Sequence, residues 1–258
     1  MLKKRIISAF AIMPVILASV WAGGWPFFAL VALFSHLALR EFYNLSRNSD
    51  KAVQWLGYSG NIILLFVMAL KGIELYFIAL VIYLLVISSI WVFLYPRDFM
   101  LFASLLWGKL YITTLIGFFI LLREQSGGLL HVLAVLAVIW SNDSGAYLVG
   151  SNIGRHHIFP QVSPKKTLEG AIAGIVVAIL VIFLLSPLFD LNRGFALLFA
   201  FTLALSGQFG DFTESALKRW SDTKDSGDFL PGHGGVLDRI DSLLFAAPIA
   251  YILIRFLR

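Results

Sequence analysis

Acidic side chains concentrate in one stretch of this 258-residue sequence. Seven of its 15 Asp and Glu residues lie between Asp211 and Asp241, and basic residues are interspersed with them. Asp238 and Asp241 are three positions apart, so a helix that begins here carries both carboxylates on one face. Two carboxylates, together with phosphate oxygens from a substrate, commonly hold Mg²⁺ in proteins. The spacing therefore indicates phosphate chemistry at a divalent cation.

A glycine-rich run lies within the same stretch. Its sequence is Pro231-Gly232-His233-Gly234-Gly235. Proline and closely spaced glycines do not continue a regular helix or a packed strand. Backbone of this kind can approach phosphate oxygens closely and donate N–H groups to them. We expect the run to form a phosphate-binding loop.

A second group of polar residues lies upstream. Asp143 follows a long apolar run, which places it near the end of a membrane-spanning segment. Further along, Ser163 or Thr167 is positioned to cap the next helix. Lys165 and Lys166, between them, have two interpretations. Either they are lysines that flank a membrane span, or they bind lipid-headgroup or nucleotide phosphates beside a helix N-terminus.

The composition indicates that a membrane must position these residues. Hydrophobic residues make up 59% of the chain, charged residues only 14%, and the mean hydropathy is +0.87. A soluble domain carries about 25% charged residues, so an ordinary soluble enzyme is excluded. The chain has 0 Cys, which excludes disulfides, thiolate metal sites and a cysteine nucleophile. The net charge of +5 fits cytoplasmic loops and anionic lipid rather than nucleic acid.

Nine apolar runs are long enough to cross a bilayer as helices, which need about 20 residues each. These runs are 6–22, 25–43, 53–70, 73–94, 99–122, 128–149, 168–189, 194–215 and 236–257. With the N-terminus in the cytoplasm, 14 of the 20 Lys and Arg residues fall in cytoplasmic segments and five on the other side. We therefore predict an all-α, polytopic membrane protein with about nine transmembrane helices. Its orientation is N-in and C-out, and its active site lies at the cytoplasmic face.

The rest of the chain is expected to act as a scaffold. Residues 1–258 form one membrane domain, in which 1–125 supply scaffold and dimerisation helices and 126–258 supply the catalytic helices and loops. The few acids of the first 140 residues, including Glu41, lie near predicted loops or helix ends, where solvation explains them. Lys109 lies inside a predicted span, where it extends to the membrane surface, marks a misplaced boundary or has a functional role.

Taken together, the polar segments resemble the signature of the phosphatidate cytidylyltransferases, also called CDP-diacylglycerol synthases. The resemblance is carried by residues 215–219 (SALKR), 224–227 (KDSG) and 230–241 (LPGHGGVLDRID), and it runs unbroken over 27 positions. Residues 140–143 (WSND) and 163–170 (SPKKTLEG) also resemble that family.

The resemblance implies a reaction between CTP and phosphatidic acid that yields CDP-diacylglycerol and pyrophosphate. It also implies a polytopic enzyme in the lipid bilayer, often a homodimer, with Mg²⁺ and a second, monovalent cation such as K⁺. The length and the lack of a targeting sequence favour the bacterial plasma (inner) membrane. No nucleic-acid partner is expected.

For this reaction we assign roles to the charged residues. Asp211 and Asp238 are the main metal ligands, with Asp241 or Asp143 as second choices. Asp211, Asp238, Lys224 and Arg239 form the catalytic group. The substrate-binding set, which holds phosphates and shapes the phosphate loop, consists of Ser163, Lys165, Lys166, Lys218, Arg219, His233, Gly234 and Gly235.

Two other classes of protein remain as alternatives. A CTP-dependent polyprenol or lipid kinase would transfer the γ-phosphoryl group and release CDP, but the unbroken signature argues against it. A membrane transporter for an anionic solute would carry charges and broken helices near the membrane midplane, with paired repeats. In this sequence the charges collect at one predicted face, in glycine-rich loops.

Overall fold

The computed structural model describes residues 13–227 and 234–257, and the regular elements of these residues are helices. A short helix is described from Met13 to Ala22 and is called α1 here. The following helices are α2 (Gly24–Leu45), α3 (Lys51–Phe93), α4 (Phe99–Gly108), α5 (Leu115–Glu124), α6 (Gly128–Ile153), α7 (Leu168–Leu185), α8 (Arg193–Trp220) and α9 (Leu237–Phe256). A π-helical segment, Lys109–Thr114, joins α4 to α5. The all-helical prediction is confirmed for the described residues.

Five helical stretches are long and apolar enough to cross a membrane. They are Lys51–Phe93, Phe99–Glu124, Gly128–Ile153, Leu168–Leu185 and Arg193–Trp220. Large apolar side chains on them, such as Phe93 and Leu184, remain exposed in the isolated chain. Exposed apolar surface of this extent is typical of a surface that contacts lipid or another protein, so the described residues form an all-helical structure that is compatible with a membrane protein.

The long helix α3 contains a break at Gly72. The backbone there has φ 75° and ψ −170°, which is outside the helical region and is accessible chiefly to glycine. The break separates the two apolar runs that the sequence predicted as 53–70 and 73–94.

By compactness the chain divides into two units. The first comprises residues 1–124 together with 223–237, and the second comprises 125–222 together with 238–258. Residues 223–237, called the glycine-rich segment here, thus belong to the first unit, although they lie between the main parts of α8 and α9 in the sequence.

Within the first unit, Lys109 is fully buried rather than extended to a surface. Its Nζ donates a hydrogen bond to the Tyr43 hydroxyl at 3.3 Å and lies 5.9 Å and 5.8 Å from the ring centroids of Tyr43 and Tyr83. Its relative exposure is 0%. Extension to the membrane surface and a misplaced boundary are both wrong, because Lys109 lies well inside the continuous helical stretch Phe99–Glu124.

Within the second unit, glycines let α6 and α7 pack closely. A Cβ atom at Gly174 of α7 would lie 2.6 Å from the Asn142 carbonyl oxygen of α6, and one at Gly170 would lie 2.8 Å from the Ala146 carbonyl oxygen. Gln208 of α8 then donates from Nε2 to Asn142 Oδ1 and to the Ala171 carbonyl, both at 2.9 Å. This amide connects three helices next to Asp143 and one turn before Asp211.

Candidate active site

Helix α8 carries three ionisable residues at helical spacing. Asp211, Glu214 and Lys218 are separated by three and four positions, so they share one side of the helix. Gly210, beside them, allows α9 to come close, since a Cβ atom there would lie 2.5 Å from the Asp241 carbonyl oxygen. The last part of α8 and the start of α9 therefore face each other.

Lys218 of α8 contacts one carboxylate on its own helix and one on α9. Its Nζ lies 2.5 Å from Glu214 Oε2 and 2.6 Å from Asp238 Oδ1. The Glu214 side chain is completely buried, and those of Lys218 and Asp238 are 13% and 10% exposed. Unpaired charges are costly at such burial, so Lys218 holds Asp238 in a defined place.

A second ion pair holds the connection between α6 and α7 against α8. The Lys166 ammonium contacts the Asp211 carboxylate and lies 4.5 Å from the ring centroid of Phe212. The Phe159 ring meets the same Phe212 ring edge to face, 5.0 Å between centroids. Arg219 Nε donates to the Val162 carbonyl oxygen at 3.2 Å. The predicted substrate residues Lys166 and Arg219 are therefore both in contact with protein groups.

The same connection folds back on the start of α7. Thr167 Oγ1 accepts a hydrogen bond from the Gly170 N–H at 3.3 Å, so Thr167, not Ser163, caps the helix. Glu169 Oε1 lies 2.5 Å from His156 Nδ1, and Oε2 accepts from the Arg155 and His156 N–H groups. These contacts fix the backbone that leads to Lys166.

Three of the predicted metal carboxylates, on three helices, interact electrostatically with one another. Asp241 of α9 is buried at 9% exposure and interacts electrostatically with Asp211 of α8, Asp143 of α6 and Lys166. Asp241 Oδ1 accepts from the Ser242 N–H at 2.6 Å. Lys166 is thus the basic side chain that interacts with all three of these acids.

The donor set fits a divalent cation that also binds substrate. Asp211 and Asp238, which the sequence predicts as main ligands, belong to two different ion pairs, with Lys166 and Lys218. In the described part of the chain no group of three or more His, Asp or Glu side chains is arranged to enclose a metal by itself. Mg²⁺ keeps several waters and commonly uses one or two carboxylates with substrate phosphates, so the carboxyl oxygen donors present are compatible with it.

Within the first unit, Glu41 of α2 holds the ends of the glycine-rich segment. Its Oε1 accepts from the Val236 N–H at 2.8 Å, and its Oε2 accepts from the Leu237 N–H at 2.8 Å and from Ser226 Oγ at 2.9 Å. Glu41 is only 5% exposed, so the expectation that it is solvated is wrong. Only tertiary contacts show this role, because the residues that it binds lie more than 180 positions further along the chain.

The remaining predicted residues fall into three groups. Gly234 has a positive φ of 79°, and Gly235 is buried. The exposed residues are Asp143, Lys165, Lys224 and Arg239. His233 lies outside the described residues. Glu214 was not assigned from the sequence, because an acid among other charges is typical of a solvated loop.

Comparison with known proteins shows the family of this chain. The model of the "Cytidylyltransferase family" matches residues 3–257. A protein of Bacillus subtilis named phosphatidate cytidylyltransferase is 36% identical over 264 residues, which cover 98% of this chain and 97% of that protein. Proteins of the same name from Staphylococcus epidermidis and Staphylococcus aureus are 43% identical over 141 residues, 54% of each chain.

Fold and site together define a class: helical membrane proteins whose acidic and basic side chains are paired at the ends of their helices. Since the family model covers nearly the whole sequence, the chain belongs to the cytidylyltransferase family.

Proposed function

We propose that this protein is a phosphatidate cytidylyltransferase, which converts CTP and phosphatidic acid to CDP-diacylglycerol and pyrophosphate. The observation that carries the proposal is the relative of that name, which aligns with 98% of the chain. The charged cluster on α6, α8 and α9 supports it, because two polyanionic substrates need both cationic groups and a bound cation. The enzyme is expected in a bacterial plasma membrane as a homodimer with about nine spans, N-in and C-out, and with the site at the cytoplasmic face.

In this reaction a phosphate oxygen of phosphatidic acid attacks the α-phosphorus of CTP. A new phosphorus–oxygen bond forms as the bond to the β-phosphate breaks, and pyrophosphate leaves with the electron pair. The attacking oxygen is already ionised, so no side chain has to remove a proton. The protein therefore contributes chiefly by positioning and by neutralising charge.

Each charged group has a place in this scheme. Lys224 and Arg239 are exposed and are assigned to the triphosphate and the leaving pyrophosphate. Lys166, paired with Asp211, reaches a substrate phosphate if that pair loosens. Lys218 already has two carboxylate partners, so its assignment shifts from triphosphate binding to holding Asp238.

Mg²⁺ would neutralise phosphate oxygens of both substrates when bound. The residues that would hold it are Asp211 and Asp238, with Asp241 or Asp143 beside them. The burial of Asp241 and its electrostatic interactions with Asp211 and Asp143 support giving Asp241 a larger part in metal binding than the sequence alone suggests. A monovalent cation such as K⁺ is proposed as a second ion.

The test uses the purified protein in detergent with short-chain phosphatidic acid, CTP and Mg²⁺. Pyrophosphate release and the lipid product are followed together, the latter by mass. A CDP-lipid formed in equal amount to pyrophosphate, and lost with EDTA, supports the proposal. Asp238→Asn should lose most of the activity, whereas Lys71→Ala, at an exposed position of α3, should retain it.

The same assay separates the alternatives. Release of CDP with a newly phosphorylated lipid alcohol would assign the protein to the lipid kinases. Absence of nucleotide turnover with every lipid tested would contradict any nucleotidyl transfer.

A further inference from the structure

In the first unit, the Glu41 carboxylate accepts hydrogen bonds from a hydroxyl and from backbone N–H groups that lie far along the chain. Glu41 lies in the last turn of α2, and its two oxygens accept three hydrogen bonds, from Ser226 Oγ and from the N–H groups of Val236 and Leu237. The donors lie on both sides of residues 228–233. The Glu41 side chain thus binds residue 226, before residues 228–233, and residues 236 and 237, after them.

Two of these hydrogen bonds give N–H groups at the start of α9 an acceptor. Leu237 is the first residue of that helix, and the first N–H groups of a helix have no acceptor within it. The residues just before it, Gly235 and Val236, have no side-chain oxygen that could cap them. The Glu41 carboxylate takes this role, and its negative charge also interacts favourably with the helix N-terminus.

The neighbouring glycines are required by this contact. A Cβ atom at Gly227 would lie 2.9 Å from Glu41 Oε1, and one at Gly235 would lie 2.6 Å from Glu41 Cδ and would also collide with Ser226 Oγ. Any larger residue at either position would displace the carboxylate. The two glycines and Glu41 therefore form one packed arrangement.

We propose that Glu41 is a positioning residue for nucleotide binding. It acts through the Ser226 hydroxyl and the N–H groups of Val236 and Leu237, and Lys224 and Gly234 each lie two positions from one of these partners. Leu237 is followed directly in the chain by Asp238. The inference rests on the proposed cytidylyl transfer, in which Lys224 binds the triphosphate and Gly234 belongs to the phosphate-binding loop.

The proposal predicts a specific kinetic defect. Glu41→Gln keeps the size of the side chain, but it places an amide NH₂ group against N–H or O–H donors. Loss of one or more charge-assisted hydrogen bonds corresponds to about a tenfold or larger effect. We expect KM for CTP to rise about tenfold or more, with KM for phosphatidic acid within twofold of wild type.

Three further variants serve as comparisons for Glu41→Gln. Glu41→Asp retains the charge and should recover part of the affinity for CTP. Ser226→Ala removes one of the three donors and should raise KM for CTP about threefold. Glu74→Gln is the matched control, because Glu74 is an exposed acid on α3 of the same unit, and it should behave as wild type.

These measurements distinguish a failure of the proposed function from a failure of the positioning role of Glu41. If the wild-type protein forms no CDP-lipid, the proposed function fails before Glu41 is tested. If the wild type is active and a folded Glu41→Gln shows an unchanged KM for CTP, or an equal rise for both substrates, the positioning role is wrong. If Glu41→Gln is not recovered as folded protein, Ser226→Ala decides, and an unchanged KM for CTP in that variant would overturn the proposal.

Discussion

The ammonium of Lys218 lies 2.6 Å from the carboxylate of Asp238, and this contact connects the end of α8 to the start of α9. The same ammonium is 2.5 Å from Glu214, whose side chain is fully buried. One ammonium thus contacts two carboxyl groups in a nearly dry place. Lys218 therefore helps to fix the position of Asp238.

Replacing Lys218 by Met should impair both folding and turnover. The change removes the ammonium that contacts both carboxylates, and breaking a buried pair from one side costs about 3–5 kcal/mol. A displaced Asp238 should lower kcat about 100-fold. Thermal unfolding in detergent and pyrophosphate release measure the two effects. Lys218→Arg keeps the charge and should retain more of both, so equal losses in the two variants would contradict this role.

Replacing Asp241 by Asn should have opposite effects with and without metal. Asp241 is buried and interacts with the acids Asp211 and Asp143, which disfavours a further negative charge there in the metal-free protein, so the neutral Asn side chain should be accommodated better. A ligand that binds only the folded state stabilises it in proportion to its affinity. We expect Asp241→Asn to melt a few degrees higher than wild type in EDTA, since about 1 kcal/mol corresponds to about 2–4 °C at this size.

The melting temperature of Asp241→Asn should then rise less than that of wild type when Mg²⁺ and CTP are added. Differential scanning fluorimetry of the two proteins under both conditions checks the prediction. An undiminished response to Mg²⁺ would remove Asp241 from the metal site. Glu74→Gln serves as the control for loss of an acid elsewhere.

Several helices of the fold were accessible from the sequence because a long apolar run predicts a membrane helix. The run 128–149, for example, corresponds to helix Gly128–Ile153. The choice between Ser163 and Thr167 as the cap was not accessible, because it depends on how the loop pairs back, with the Leu168 N–H donating to the His156 carbonyl at 2.8 Å.

The site was accessible where charges cluster along the chain and hidden where they meet only in space. The sequence indicated Asp238 and Asp241 through their spacing. It gave no signal for Glu41, whose partner Leu237 is 196 positions away, or for the burial of Glu214 next to Lys218. An isolated acid in a polar stretch is most simply explained by solvent, and only packing reverses that interpretation.

Helix packing next to the site should be sensitive to a single methyl group. A Cβ atom at Gly174 would lie 2.6 Å from the Asn142 carbonyl oxygen and 2.8 Å from its Oδ1, which accepts the hydrogen bond from Gln208. Overpacking of this kind costs about 1–3 kcal/mol. Gly174→Ala should lower both the melting temperature and the activity. Gly194→Ala is the matched control, because a Cβ atom at Gly194 would lie 3.6 Å from Asn192 Oδ1, an ordinary contact distance. A similar loss of melting temperature and activity in both variants would contradict the packing argument.

Lys109 should prove dispensable for catalysis in spite of its burial. In the described residues its ammonium hydrogen-bonds to the Tyr43 hydroxyl and forms no ion pair with a carboxylate. Burying an unpaired charge is unfavourable, so Lys109→Met, which keeps the length of the side chain, should leave the melting temperature equal to or above that of wild type. Turnover should stay within about twofold, and Lys71→Met at an exposed position of α3 controls for loss of a lysine. A folded Lys109→Met that loses more than about 90% of its activity would instead give this buried lysine a part in the reaction.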